Sequence, residues 1–252
     1  MPATMQRRWR GLVVDSVVDS IVDGIVGMLR TTLPQCCALC AAPSGTALIC
    51  AACTAAMPWQ PPACPRCALP STHGGTCGHC LCDPPAFDRS QAAFVYAFPL
   101  DRLVQSFKYH GALAYAGWFA EAMLERRAQP PAGDVLIPVP LAHARQRDRG
   151  FNQALELARP LARRTGIPLA ADAAARIRDT PPQASLPWAE RARNIRGAFT
   201  CSIPLAGQHV VVVDDVMTTG ASLEEFARTL KRAGAASVEN WLVARTPPPT
   251  DR

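Results

Sequence analysis

Residues 210–222 read VVVVDDVMTTGAS. Four consecutive valines are the pattern of a strand buried on both faces, as in a parallel sheet. Two adjacent acids, Asp214 and Asp215, stand at its carboxyl end. Val216, Met217, Thr218, Thr219, Gly220, Ala221 and Ser222 follow as a turn rich in hydroxyls and small side chains, ahead of a helix expected from Leu223. In an open α/β sheet, ligands bind at the carboxyl edge of the strands. Backbone amides from Thr218 to Ser222, with three hydroxyls, can wrap a phosphate at a helix N-terminus. Gly220 lets the backbone approach a ligand closely. The two carboxylates stand where they can accept hydrogen bonds from vicinal ribose hydroxyls. The stretch is neither a G-x-x-x-x-G-K-[ST] loop nor a G-x-G-x-x-G loop, so ATPase and dinucleotide readings lose their main support.

Working outward, residues 134–246 alternate short apolar runs with helical patterns: VLIPVP, NQALELARPLARRTG, AFTCSIP, HVVVVDDV, SLEEFARTLKRAG and SVENWLVA. That alternation predicts an α/β fold, a parallel sheet with crossover helices. Residues 91–129 mix aromatic and apolar residues and end in a helix-like run, GWFAEAMLERRA. The chain has 252 residues, 49% of them hydrophobic, with 18% charged and a mean hydropathy of +0.04. It is long enough for one large domain or a medium one plus a small one, and too apolar for a disordered polyampholyte.

Ten of the eleven cysteines fall between Cys36 and Cys82, in a segment rich in proline and nearly free of charge. Cys37 and Cys40, Cys50 and Cys53, Cys64 and Cys67, and Cys77 and Cys80 form two copies of C-x2-C-x9-C-x2-C. A C-x2-C knuckle aims two thiolates at one metal, and two knuckles complete a closed tetrahedral site. Zinc suits such a soft, redox-silent donor set, with a structural role. The spacing leaves the pairing open. Sequential pairing, interleaved pairing, or one occupied site beside a degenerate one all remain, with Cys36, Cys82 and His79 as nearby substitutes. Cys201, alone in an expected strand, reads as a small buried hydrophobe.

The net charge of +6 is local. Residues 145–196 hold eleven arginines against five acids, and the rest of the chain balances. A guanidinium excess points to a polyanion, although part of it belongs to solvated helix faces. Near the N-terminus, GLVVDSVVDSIVDGIVGML carries Asp15, Asp19 and Asp23 at every fourth position. These acids interrupt any apolar run before it reaches signal-peptide or membrane-span length. The period describes an amphipathic helix. A cytoplasmic location, with reduced thiols, is the expectation.

All thirteen positions of 210–222 fit the signature of type I phosphoribosyltransferases, which bind 5-phosphoribosyl 1-diphosphate (PRPP). More narrowly, the chain resembles the ComF family of competence-protein-F-like proteins, a zinc ribbon joined to a type I phosphoribosyltransferase domain. The resemblance rests on the paired knuckles, FKYHG at 107–111, IPVPL at 137–141 and RGFNQ at 149–153. It also rests on Thr180, Gln183 and RARNIRGAF at 191–199, and it runs in order over roughly 33–245. The implied organisation is an N-terminal helix over 1–32, a double C-x2-C zinc module over 33–88 and a phosphoribosyltransferase-like domain over 89–252.

The resemblance implies that Asp214 and Asp215 hold the ribose, that residues 216–222 hold the 5′-phosphate, and that Mg²⁺ accompanies the pyrophosphate. Pro138 and Val139 occupy the position of a pyrophosphate-contacting loop, with Arg145, Arg149 and Lys108 as further anion contacts. Residues 179–196 look like the loop that closes over pyrophosphate in this fold, and Arg191 and Arg196 are its candidate catalytic cations. Two functions are compatible with these features. One is a phosphoribosyl transferase whose acceptor is unidentified. The other is a competence factor that grips incoming single-stranded DNA through the phosphate loop and the arginine-rich face, alongside other competence-machinery proteins.

Overall fold

The computed structural model describes residues 35–71, 73–127, 130–178 and 195–248. The helix expected over 1–32 and the candidate residue Arg191 lie outside them. The chain folds as two compact units, Met1–Ala56 and Met57–Arg252. In the first unit, strands β1 (Gln35–Cys36) and β2 (Pro43–Gly45) pair antiparallel and helix α1 (Ala51–Ala55) follows. No residue of α1 is buried, and Cys37 and Ile49 are the buried hydrophobic side chains among the described residues of this unit. Metal coordination must therefore replace a hydrophobic core there.

The second unit opens with the knuckles around Cys64 and Cys77 and helix α2 (Gly78–Cys82). It continues through β3 (Arg89–Val95), α3 (Leu100–Tyr109), α4 (Tyr115–Glu125), β4 (Val135–Pro138), α5 (His143–Arg149) and α6 (Gln153–Thr165). The hairpin strands β5 (Ala174–Arg176) and β6 (Phe199–Cys201) come next, then β7 (His209–Met217), α7 (Ala221–Arg232) and β8 (Ser237–Arg245). The sheet order is β3-β8-β7-β4, all neighbours parallel. The valine run is thus central, as its sequence predicts.

Alternation along β7 explains why four valines occur in a row. Val210 and Val212 join Leu223, Phe226 and Leu230 of α7 in one core cluster. Val211 and Val213, equally buried, face the opposite side of the pleat. A strand covered on both faces has no polar side to display. Helix α6 is closed at both ends by its own sequence. The Asn152 carboxamide accepts from the Ala154 amide at its start, and Gly166, at φ 72°, ends it.

One feature differs from the sequence expectation. Helix α3 has Leu100, Leu103, Val104 and Phe107 buried on one face of a stretch where no separate helix is expected from sequence. The split into compact units falls after Ala56, inside the cysteine segment. The second half of the cysteine segment is stitched to the sheet unit: the Gln60 amide donates to the Ala93 carbonyl, Val95 to Pro58 and Ser90 to Pro65.

Candidate functional site

The carboxyl ends of β7 and β4, the last turn of α3 and the start of α6 surround a cleft of about 650 Å³. Its lining includes Lys108, Val139, Arg145, Arg149, Asp214, Asp215, Val216, Thr218 and Ser222, all expected from the sequence. Pro138 is buried in β4, one residue short of the cleft wall. Arg196 is exposed, and its carbonyl accepts from Arg178 Nη1 at 2.7 Å; it is not among the lining residues. Met217, Thr219, Gly220 and Ala221 are not among the lining residues.

The two acids leave opposite faces of the strand, because side chains alternate along it. Asp215 is 8% exposed and its Oδ2 lies 3.0 Å from Lys108 Nζ. Burial opposes charge on Lys108, but the carboxylates of Asp215 and Asp214 outweigh it and hold the ammonium above its ordinary pKa. Asp214 has the opposite fate. Burial, then the like charge of Asp215, raises it to about 7, against the lowering pull of the Asp215 amide, Lys108 and Arg176. One carboxylate is thus held in an ion pair, while the other, whose Oδ1 accepts from the Asp215 amide at 2.9 Å, lines the same cleft with its pKa raised toward neutral pH.

Three arginines form the opposing wall. Arg149 donates to Gln153 Oε1 at 3.0 Å and to the Tyr109 hydroxyl at 3.3 Å, with its guanidinium over the Tyr109 ring. Burial and the neighbouring Arg149 depress Arg145 below its usual value, a combination that favours an anion between the two. Arg176, 7% exposed, reaches the cleft from β5 beneath Phe199. Asn152, Gln153 and Arg176 line the cleft although sequence reasoning does not single them out as contacts. For Asn152 and Gln153 the available signal is the RGFNQ run; nothing local marks Arg176.

Beyond β7, Gly220 adopts φ 85° and caps α7, which begins at Ala221, two residues before the expected start. A Cβ at Gly220 would meet the Met217 Cε at 2.6 Å, which the flexible end of that side chain can relieve by moving, so it is the left-handed φ that calls for glycine at this turn. The Thr219 hydroxyl accepts from the Ala221 amide at 3.2 Å.

The cysteines resolve into sequential pairs. Sγ atoms of Cys37, Cys40, Cys50 and Cys53 lie within 4.8 Å of one another, and so do those of Cys64, Cys67, Cys77 and Cys80. Two edges measure 3.8 Å (Cys40–Cys50) and 3.7 Å (Cys67–Cys77). A tetrahedron with Zn–S bonds of about 2.3 Å has edges of about 3.8 Å, so both groups fit zinc. The two sites repeat each other in detail. The amides of Cys50 and Cys77 donate to the Sγ of Cys37 and Cys64, each at 3.3 Å. Ala41 and Ala68, one residue past each first knuckle, both take positive φ, 60° and 55°. Cys36, Cys82 and His79 belong to neither group.

Comparison with known proteins matches residues 152–250 to the phosphoribosyl transferase domain and residues 28–81 to the double zinc ribbon domain. The chain is 36% identical to the DNA utilization protein YhgH of Salmonella typhi over 224 residues, 85% of this chain and 99% of the relative. It is 33% identical to competence protein F of Haemophilus influenzae over 178 residues, 67% of this chain and 78% of that one. Competence protein ComFC of Bacillus subtilis is 28% identical over 193 residues, covering 73% and 78% of the two chains.

Proposed function

The chain belongs to the competence protein F family, a double zinc ribbon joined to a phosphoribosyl transferase domain, and we propose that its cleft binds PRPP with Mg²⁺. The observation that carries this reading is the juxtaposition of the Asp214–Asp215 pair with Lys108 and the arginine wall, at the end of a strand that runs into a tight turn and a helix N-terminus. Carboxylates suit a diol, amides at a helix start suit a phosphate, and guanidinium groups suit a diphosphate.

In this reading Asp214 accepts from the ribose hydroxyls, and Asp215 is held in place by Lys108. The amides from Thr218 to Ser222 take the 5′-phosphate, while Arg145 and Arg149, beside Val139, take the diphosphate. When bound, Mg²⁺ supplies charge neutralisation on the diphosphate; hard carboxylate oxygens are the donors such an ion prefers. If the chain transfers the ribosyl group, the C1–O bond to pyrophosphate breaks and its electron pair leaves on pyrophosphate. The acceptor's lone pair closes the new bond to C1, and the acceptor's proton goes to solvent. Arg145 and Arg149, joined by Arg191 and Arg196, stabilise the charge that gathers on the leaving group. The acceptor is a nucleophile of unassigned class. Both zinc sites are closed by four thiolates and serve structure.

A second reading follows from the relatives' names and from the guanidinium excess of 145–196. The same anion-binding wall would grip single-stranded DNA in the cytoplasm as part of DNA uptake, beside other competence proteins. Among the described residues, no helix is long and apolar enough to cross a membrane.

Calorimetric titration of the zinc-loaded protein with PRPP, with and without Mg²⁺, tests the first reading. Micromolar, Mg²⁺-dependent binding that Asp214→Asn and Asp215→Asn abolish is the expected result. Absence of heat with PRPP, together with oligonucleotide affinity that falls steeply with salt, would transfer the site to the second reading. In that case Arg191 and Arg196 substitutions weaken DNA binding and Asp214→Asn leaves it intact or improves it.

A further inference from the structure

We propose that Arg245 is a positioning residue that fastens the phosphate turn to the second four-thiol cluster, so that metal at Cys64, Cys67, Cys77 and Cys80 governs the shape of the anion site. The ligand-binding half of this inference rests on the PRPP reading above; the structural half does not.

Arg245 is the last residue of β8 and is 3% exposed. A buried guanidinium ordinarily needs a carboxylate. Among the described residues none pairs with it. Its donors go instead to four backbone carbonyls. Nε donates to Cys67 at 2.8 Å, and Nη1 donates to Met217 at 3.0 Å, to Thr246 at 2.7 Å and to Thr218. Cys67 ends the first knuckle of the second cluster, just before Ala68 at positive φ, and Met217 and Thr218 open the turn after β7. One planar group therefore joins a metal-ligand residue to the anion-binding backbone, within a single compact unit.

Both ends of this bridge have physical consequences. The Met217 carbonyl also accepts from the Thr246 amide at 3.0 Å, so the sheet already holds it. The Thr218 carbonyl has no other partner among the described residues. A peptide unit is planar and trans, so drawing the Thr218 carbonyl onto Arg245 turns the Thr219 amide the opposite way. The Met217 carbonyl likewise fixes the direction of the Thr218 amide. These are the amides that begin the phosphate cradle. At the other end, four thiolates around one zinc ion leave a net double negative charge. That charge is the natural counterweight for a guanidinium lacking a carboxylate. With the cluster unloaded, the knuckle loses its cross-link and the arginine loses its fixed anchor at Cys67. Among the described residues, no arginine joins a cysteine of the first cluster in this way.

The experiment compares the zinc-loaded full chain with Arg245→Met, Arg245→Lys, Cys77→Ser in the second cluster and Cys50→Ser in the first. Hydrogen exchange is followed in the peptide spanning 214–222, and affinity for PRPP with Mg²⁺ in parallel. Zinc content and thermal melting monitor folding. Arg245→Met and Cys77→Ser should speed exchange at Thr218 and Thr219 and weaken PRPP by about tenfold, an ordinary size for coupled sites. Arg245→Lys keeps the charge but not the fork, so it should fall between Arg245→Met and the wild type. Cys50→Ser should lose one zinc and leave the turn unchanged. Should Arg245→Met fail to fold, Arg245→Lys and Cys77→Ser carry the comparison. Unchanged exchange in a folded Arg245 variant, or an equal effect from Cys50→Ser, would overturn the proposal. Faster exchange in the variants of a wild-type protein that binds no PRPP would uphold the bridge and sink the PRPP reading alone.

Discussion

Asp214 and Asp215 are neighbours in sequence with contrary surroundings. Lys108 neutralises Asp215 at 3.0 Å, whereas burial and that neighbouring carboxylate lift Asp214 to about 7. An unfolded aspartate titrates at about 3.9. Between about pH 4 and 7 the folded state therefore holds a proton that the unfolded state has released, and stability must fall as pH rises through that window. Above pH 7 both states are ionised and the loss is complete. Asp214→Asn removes the titration. Its stability relative to wild type should grow from pH 5.5 to pH 8, reaching a gain on the order of 2 kcal/mol, since each tenfold change in proton affinity is worth about 1.4 kcal/mol. Denaturant midpoints across that range check it, and a variant-to-wild-type difference independent of pH would count against the assignment. The sequence revealed both acids and their place at a strand end. It could not reveal their inequality, because Lys108 comes from a helix about a hundred residues upstream.

The turn after β7 shows how local chemistry and long-range contact divide the work. The valine run, the acids and the hydroxyl-rich turn are legible because a doubly covered strand and a tight turn into a helix each demand particular side chains. The start of α7 at Ala221 precedes the sequence expectation by two residues, since Gly220 acts as a left-handed cap rather than as ordinary turn backbone. Gly220→Ala faces a strained φ and a contact at 2.6 Å with the movable end of the Met217 side chain. It should destabilise the protein by roughly 1–2 kcal/mol and weaken phosphate binding more than stability. Paired melting and titration measurements decide it, and an alanine variant that binds like wild type would show that the turn needs no close approach. Helix α3 is hidden for a different reason. Its Leu100, Leu103, Val104 and Phe107 stripe is clear once the helix is known, but the aromatic residues around it blur the period.

Across the chain, the cysteine spacing showed the donors, while the folded backbone supplied the pairing. Eight cysteines at two repeated spacings allow sequential or interleaved sites, and only proximity decides: Cys40 lies beside Cys50, and Cys67 beside Cys77. Composition likewise groups all eight in one segment, whereas hydrogen bonds from Gln60, Ser90 and Val95 fix residues beyond Met57 to the sheet unit. Such pairings leave no periodic trace in sequence. Chelation should therefore act unequally. Removing zinc should unfold residues 35–56, where few of the described side chains are buried, while the sheet of the larger unit keeps its secondary structure. Limited proteolysis with and without chelator, read by fragment mass, checks this; cleavage spread evenly through β7 and β8 would contradict it.

The most direct test of the ligand site is a crystal of the zinc-loaded protein soaked with PRPP and MgCl₂. The predicted density places the ribose hydroxyls against Asp214 and Asp215, the 5′-phosphate on the amides of 218–222, and the diphosphate beside Arg145 and Arg149. Density for the ligand elsewhere, or an unchanged cleft at saturating PRPP, would contradict it.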